Sequence, residues 1–233
     1  MQAKIIHQTS WVRSSRGTPI ELYQKIHSRD GNATAPILFV GGVHGDEPEG
    51  IRLAHEFLNW LVKTEEDTPD QILHSWLLIP CLNVDGYLSH RRTNQNGVDL
   101  NRNFPSKDWS AEAKSLRYFP GKVPASEVEI KAVVGLIAAE KPKLIIHFHS
   151  WEPCVVYTGV PGKTASEILA GTTGYPVRED IGYPTPGSLG QYGWLEHQVP
   201  VVCIEEKEHI QLDEVWKNFG PGLTRLMTMD FEL

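Results

Sequence analysis

A chain of 233 residues with 40% hydrophobic and 22% charged side chains can bury one sizeable core, and residues 1–233 read as a single domain. Its net charge of −7, with no basic stripe along it, argues against nucleic acid as the natural partner. No stretch approaches 18 apolar residues and Met1–His7 carries no hydrophobic leader core, so neither a membrane span nor a signal peptide is expected.

Ile20 to Ile26 alternates as a strand, and Asn32 to Pro36 reads as the turn before a second strand at 37–43. Ile51, Leu53, Ala54, Phe57, Leu58 and Leu61 recur at helical spacing behind Pro48 and Glu49, predicting a helix over 48–63. Trp76 to Leu82 has the composition of a buried strand. Residues 83–120 form the longest irregular stretch, and a loop of that length inside a compact domain is usually functional. Ser126 and Glu129 are spaced as a capping box opening a helix to about Glu140. Strands at 143–149 and 154–158 follow, then a short helix near 164–171. A strand at 199–205 comes after the turn-rich 182–193. A last amphipathic helix spans 211–228, with a break expected near Gly220-Pro221-Gly222. Strands alternating with helices define an α/β fold, a mostly parallel mixed sheet with helices on both faces. In such sheets ligands sit beyond the carboxyl ends of strands, which is where His44, Asn83, His149 and Glu205 fall. The three scattered cysteines, Cys81, Cys154 and Cys203, read as free thiols and point to the cytoplasm.

The segment from Gly41 to Pro48 offers His44 and Glu47 at an H-x-x-E spacing just after an apolar run, with Glu49 as a competing carboxylate. Such spacings also arise by chance, and an acidic turn capping the following helix would use the same residues. A third candidate changes the balance: Ile145-Ile146-His147-Phe148-His149-Ser150 ends another strand. Two imidazoles and a carboxylate from two strand ends make a three-ligand zinc centre with one position open to water, the composition of a hydrolytic site. His147 and His149 are expected to face apart. His149, nearer the strand end, is then the ligand and His147 a core histidine.

Between these segments lie Asn83, Arg91, Arg92, Asn94, Asn101, Arg102 and Asn103. Arginines grip carboxylates bidentately, so this cluster in an acidic chain points to an anionic ligand group. One arginine can also hold a developing oxyanion. A solvated loop is the alternative, more so for Arg91. The strand at 199–205 ends in Glu205 and Glu206. By alternation from Cys203, Glu205 faces the shared site. A carboxylate there can take a proton from the attacking water and later give it to a leaving amine; plain exposure at a strand end is the alternative. Tyr183 sits in the Gly/Pro-rich 182–188, a loop of the kind that covers sites, and suits a substrate contact and a packing role equally.

The motifs H-x-x-E at 44–47, N-x-D-G at 83–86, R-x-N at 92–94, D-L-N-R-N at 99–103, H-S at 149–150 and the carboxylate at 205 resemble, in order and spacing, the zinc carboxypeptidase family. The resemblance implies one Zn2+ per chain held by His44, Glu47 and His149, with Glu205 as general acid/base. It also implies Arg92 at the oxyanion, Asn101 and Arg102 on the terminal carboxylate of a peptide, and Tyr183 as a mobile tyrosine. Cys203 stands where digestive members carry threonine, and Tyr183 lies one residue off their spacing. The stretch 180–190 looks like the murein peptide amidase branch, whose enzymes cut the γ-D-glutamyl–meso-diaminopimelate bond of cell-wall tripeptide in the bacterial cytoplasm. The expected partner is therefore a small peptide with a free carboxylate. An N-acyl amino-acid deacylase sharing H-x-x-E, or a non-catalytic module that grips carboxylates, are the alternatives. The intact 99–105 and 83–87 segments favour the peptidase.

Overall fold

The structure is a computed structural model and describes residues 4–29 and 32–233. Met1–Ala3, part of the segment read above as lacking a leader core, lie outside the described residues. In chain order the strands are β1 (Ile6–Arg13), β2 (Pro19–Lys25), β3 (Ser28–Arg29), β4 (Asn32–Ala33), β5 (Ile37–Val40), β6 (Trp76–Ile79), β7 (Leu144–Trp151), β8 (Cys154–Thr158), β9 (Val177–Arg178) and β10 (Val201–Lys207). The helices are α1 (Pro48–Asp67), α2 (Val84–Leu88), α3 (Val128–Glu140), α4 (Gly162–Ala170), α5 (Leu189–His197) and α6 (Val215–Thr228).

Eight strands form one sheet in the order β1-β2-β6-β5-β7-β10-β8-β9. The four central strands β6, β5, β7 and β10 are mutually parallel, while β1, β2 and β8 pair antiparallel. Every residue of β5 and β6 is buried, as befits parallel strands covered on both faces. Alternation divides them between two cores. Phe39 packs on Phe57 of α1 and on Phe148, in a core that α4 and α6 close with Leu169, Phe219 and Leu223. Leu38 and Val40 point the other way, toward Ile130 and Val133 of α3 and Leu189 and Tyr192 of α5. The mixed sheet with helices on both faces agrees with the sequence reading.

One strand was not foreseen and three local expectations are corrected. β1 carries no apolar alternation, being mostly exposed, so its pairing with β2 left no periodic signal. Asn32 and Ala33 pair with β3 instead of forming a turn. Ser126 does not cap α3: the N-cap is Glu127, with no side-chain cap bond. The Ser126 hydroxyl instead donates to Glu127 and accepts from Asn103. Finally, α6 runs through Pro221 without a break. Proline removes one helix bond, but the buried face of Val215, Phe219, Leu223, Leu226 and Met227 holds the helix against the sheet. Gly222 lies so close to Leu169 that a Cβ there would meet its backbone at 2.9 Å.

Candidate metal centre

β5 delivers the chain to the site through Gly41 and Gly42. Gly42 has φ +58°, a left-handed conformation that glycine adopts without strain. Gly45 is forced by close approach: a Cβ there would stand 2.1 Å from the carbonyl carbon of Gly86. The turn ends at Glu47, the N-cap of α1, with Pro48 in the first turn. Glu47 does not cap its helix; its carboxylate turns inward. Oε1 lies 2.7 Å from His44 Nδ1 and Oε2 lies 2.7 Å from His149 Nδ1. The two Nδ1 atoms are 3.0 Å apart. All three residues are buried, at 3%, 7% and 2% exposure for His44, Glu47 and His149.

His149 arrives from β7, beside β10. In that ladder His149 lies opposite Glu205, so the parallel pairing alone brings a candidate ligand and a candidate proton carrier to one place.

Each imidazole is backed on its far nitrogen. His44 Nε2 is 3.2 Å from Asp99 Oδ1, and Asp99 Oδ2 accepts from Arg92 Nε at 2.9 Å. His149 Nε2 is 2.8 Å from His147 Nδ1. Burial alone would raise the Glu47 carboxyl, but His44 and His149 hold it well below the usual carboxylate range. Burial likewise opposes ionisation of Asp99, yet His44 and Arg92 keep its carboxyl depressed. Two inward Nδ1 atoms and one ionised carboxylate within 3.0 Å of one another fit a tetrahedral zinc centre with three protein ligands. His147, His149 and Cys203 also form a group close enough to hold an ion, sharing His149.

The centre opens onto a cavity of about 640 Å³ whose lining includes Arg92, Asn101, Arg102, His147, Tyr183, Cys203 and Glu205. Glu205 is 5% exposed, and burial, with Glu47 nearby, pushes its carboxyl up to about 8. Cys203 Sγ donates to it at 3.2 Å. Glu206 faces the other side, accepting from Tyr175 and Asn218, as alternation requires. Arg92 also lies 3.4 Å from Glu47 Oε1, with its guanidinium 5.2 Å from the Tyr118 ring centroid. Asn101 Oδ1 accepts from the backbone N–H of Leu189, the first residue of α5, which commits its oxygen and leaves the amide N–H₂ for the cavity. Arg102, 7% exposed, is braced by its bond to the Asn101 carbonyl. Tyr183 stands at the rim, 38% exposed, edge-on to Trp151.

Other residues singled out in the sequence serve elsewhere. His147 and His149 do not face apart: residues i and i+2 of a strand share a face, and both line the cavity. Glu49 is satisfied by Ser150 Oγ and the His209 N–H, and does not compete for the centre. Asn83 accepts from Gly86 N–H and donates to the Arg92 carbonyl, shaping the loop from beneath. Asn94 and Asn103 are likewise bonded into the loop and to Glu127. Arg91 is exposed, reaching Gln95. Several cavity residues escaped the sequence reading, the charged Arg117 and Glu179 among them. Arg117 pairs with Asp46 at 3.0 Å and sits in no spaced motif; Glu179 accepts from Tyr157 and follows the two-residue strand β9, too short to show in the sequence. Asp99 entered the sequence reading only as a letter of the 99–103 motif; its place behind His44 and Arg92 comes from the structure.

The sequence profile of the zinc carboxypeptidase family matches residues 2–177. The chain therefore belongs to the zinc carboxypeptidase family, a family of hydrolytic enzymes. Among curated relatives it is 32% identical over 166 residues to murein peptide amidase A of Escherichia coli K12, covering 66% of this chain. The match spans 64% of that relative's length. It is 28% identical to murein peptide amidase A of Vibrio campbellii over 216 residues, covering 87% of this chain and 80% of the relative. Among solved structures, the murein-tripeptide amidase of Escherichia coli O157 superposes with a TM-score of 0.75 at 24% identity, covering 97% of this chain and 92% of the other. A thrombin-activatable fibrinolysis inhibitor superposes at 0.77 and 18% identity, covering 97% and 68%. At those identities the superpositions speak for the fold.

Proposed function

We propose that this chain is a zinc-dependent amidase that releases the C-terminal residue of a short peptide, with the γ-D-glutamyl–meso-diaminopimelate bond of murein tripeptide as its substrate. The observation that carries the reading is the convergence of His44 Nδ1, His149 Nδ1 and the Glu47 carboxylate within 3.0 Å at a cavity that Glu205 also lines. Zinc bound there supplies Lewis acidity toward a carbonyl and toward water. Glu205, ionised when it acts, takes the proton of the attacking water and passes it to the departing amine. Arg92, held by Asp99, donates toward the oxygen on which negative charge develops. Asn101 and Arg102 grip the substrate's terminal carboxylate through amide and guanidinium N–H groups, which orients the scissile bond toward Glu205. Tyr183 at the rim closes over the bound peptide. The choice of murein peptide rests on the names of the relatives and on the 180–190 segment. A cytoplasmic site of action is part of the reading, supported by three cysteines that are all free.

The test is incubation with L-Ala-γ-D-Glu-meso-diaminopimelate beside ordinary C-terminal peptides and N-acyl amino acids, with products identified by mass. Release of diaminopimelate from the tripeptide is expected. Cleavage of ordinary peptides alone removes the murein assignment, and cleavage of N-acyl compounds alone removes the peptidase reading altogether.

A further inference from the structure

Every route by which His149 can serve a cation runs through its tautomer. Nδ1 is the nitrogen that faces Glu47 and His44; for its lone pair to serve a cation there, the proton of the neutral ring must sit on Nε2. That N–H is buried with the rest of the residue, which is 2% exposed, and a buried donor left without an acceptor is costly. Its partner is His147 Nδ1, at 2.8 Å. A histidine that ligates a metal ordinarily gives its other N–H to a carboxylate, a carbonyl or water, as His44 does to Asp99. Here a second imidazole takes that place. It can accept only as the neutral ring with Nδ1 bare, which puts its own proton on Nε2. That nitrogen has no hydrogen-bond partner among the described residues, and it is absent from the fully buried orphaned polar atoms there. The strand ladders hold His147 in this position. It lies opposite Val40 of β5 and Cys203 of β10, in the middle of the parallel sheet, and is 4% exposed.

We propose that His147 is a positioning residue for the metal centre: by accepting the Nε2–H of His149 it fixes the tautomer and ring orientation that aim His149 Nδ1 at the cation. This rests on the reading that His44, Glu47 and His149 hold the metal. His147 itself stays outside the coordination sphere, so the chain binds one ion and not two.

The experiment is zinc titration of the metal-free protein against a competing chelator at fixed pH. It compares wild type with His147→Leu and His147→Asn, with thermal unfolding of the metal-free forms as a check on folding. Leucine fills the space without an acceptor, and zinc affinity falls about 10- to 100-fold. Asparagine returns an acceptor oxygen near the place of Nδ1 and keeps affinity within about threefold of wild type, a contrast that a space-filling role would not produce. Where the leucine variant does not fold, His147→Gln replaces it, since its amide reaches the place of Nε2 and not of Nδ1. Equal affinity in wild type and the leucine or glutamine variant overturns the proposal, as does equal loss in that variant and asparagine. Two zinc ions per wild-type chain, one of them lost with His147, overturns it in favour of a ligand role. A wild-type chain with no zinc affinity takes down the metal-centre reading together with this one, and is seen before any variant is compared.

Discussion

Asp99 is the most heavily used carboxylate beside the centre, and Asp99→Asn is the perturbation with the largest calculable effect. The side chain is fully buried. Its Oδ1 accepts from the Asn101 N–H and faces His44 Nε2, and its Oδ2 accepts from Arg92 Nε. An amide can keep only one of these edges. The least costly placement keeps the oxygen toward His44 and Asn101 and turns N–H₂ against the Arg92 N–H, donor against donor. Arg92, with a side chain 12% exposed, is then left with Glu47 at 3.4 Å as its remaining ion pair. Breaking a buried pair costs about 3–5 kcal/mol. Because Glu47 persists and Arg92 is not wholly buried, the loss in urea unfolding of the metal-free protein should be about 2–4 kcal/mol. That is a large part of the ~5–15 kcal/mol a domain has to lose. Zinc affinity should fall as well, by about 10- to 100-fold, because the acceptor that turns His44 Nδ1 inward has lost its charge. A variant less than about 0.5 kcal/mol weaker with unaltered zinc affinity would refute the account of how His44 is held.

Three further outcomes follow from the same geometry. Glu205→Gln keeps the three metal-facing groups intact, so it should retain zinc while kcat drops about 10²- to 10⁴-fold; undiminished turnover removes Glu205 from the proton transfer. Arg102→Lys should raise KM about 10- to 100-fold for peptides ending in a free carboxylate, through the lost forked contact. It should leave the already poor handling of C-terminally amidated peptides unchanged, and equal losses on both would show that Arg102 acts elsewhere. Away from the centre, Glu65 is buried against Lys25 and Trp76. Burial would raise its carboxyl, but His27 and Lys25 hold it below the ordinary value. A depressed carboxyl stabilises the fold above its unfolded value of about 4.3 and loses that contribution as pH falls toward the folded one. Glu65→Gln should therefore be less stable than wild type at pH 7, and the gap should narrow in unfolding curves taken down through pH 4. A gap constant with pH contradicts the linkage.

Function was legible in the sequence where it left a spaced pattern. His44, Glu47, His149 and Glu205 could be read because strand ends and short spacings are one-dimensional signals of a shared place, and the structure gathers all four about one cavity. Arg92, Asn101, Arg102 and Tyr183 stood out by loop composition, their individual roles came from motif resemblance, and they too line it. Asn83 was misread as a site residue because its position at a strand end looks the same whether its amide meets a ligand or the loop backbone. His147 was misplaced by an error of period, which the β7 ladder corrects. Arg117 left no signal because only the folding of 83–120 over the sheet brings it to the cavity, and Glu179 left none because the strand it follows, β9, is only two residues long. Pro221 shows the complementary failure: a local rule against helix continuation is outweighed by a buried face that only tertiary packing supplies.

The central claim is that three side chains from two strand ends hold one zinc ion. Elemental analysis of protein purified and dialysed without chelator tests it directly, on wild type and on folded His44→Ala and His149→Ala. About one zinc per wild-type chain is expected, and substantially none in either variant. A wild-type chain without zinc, or full zinc in both variants, would contradict the claim.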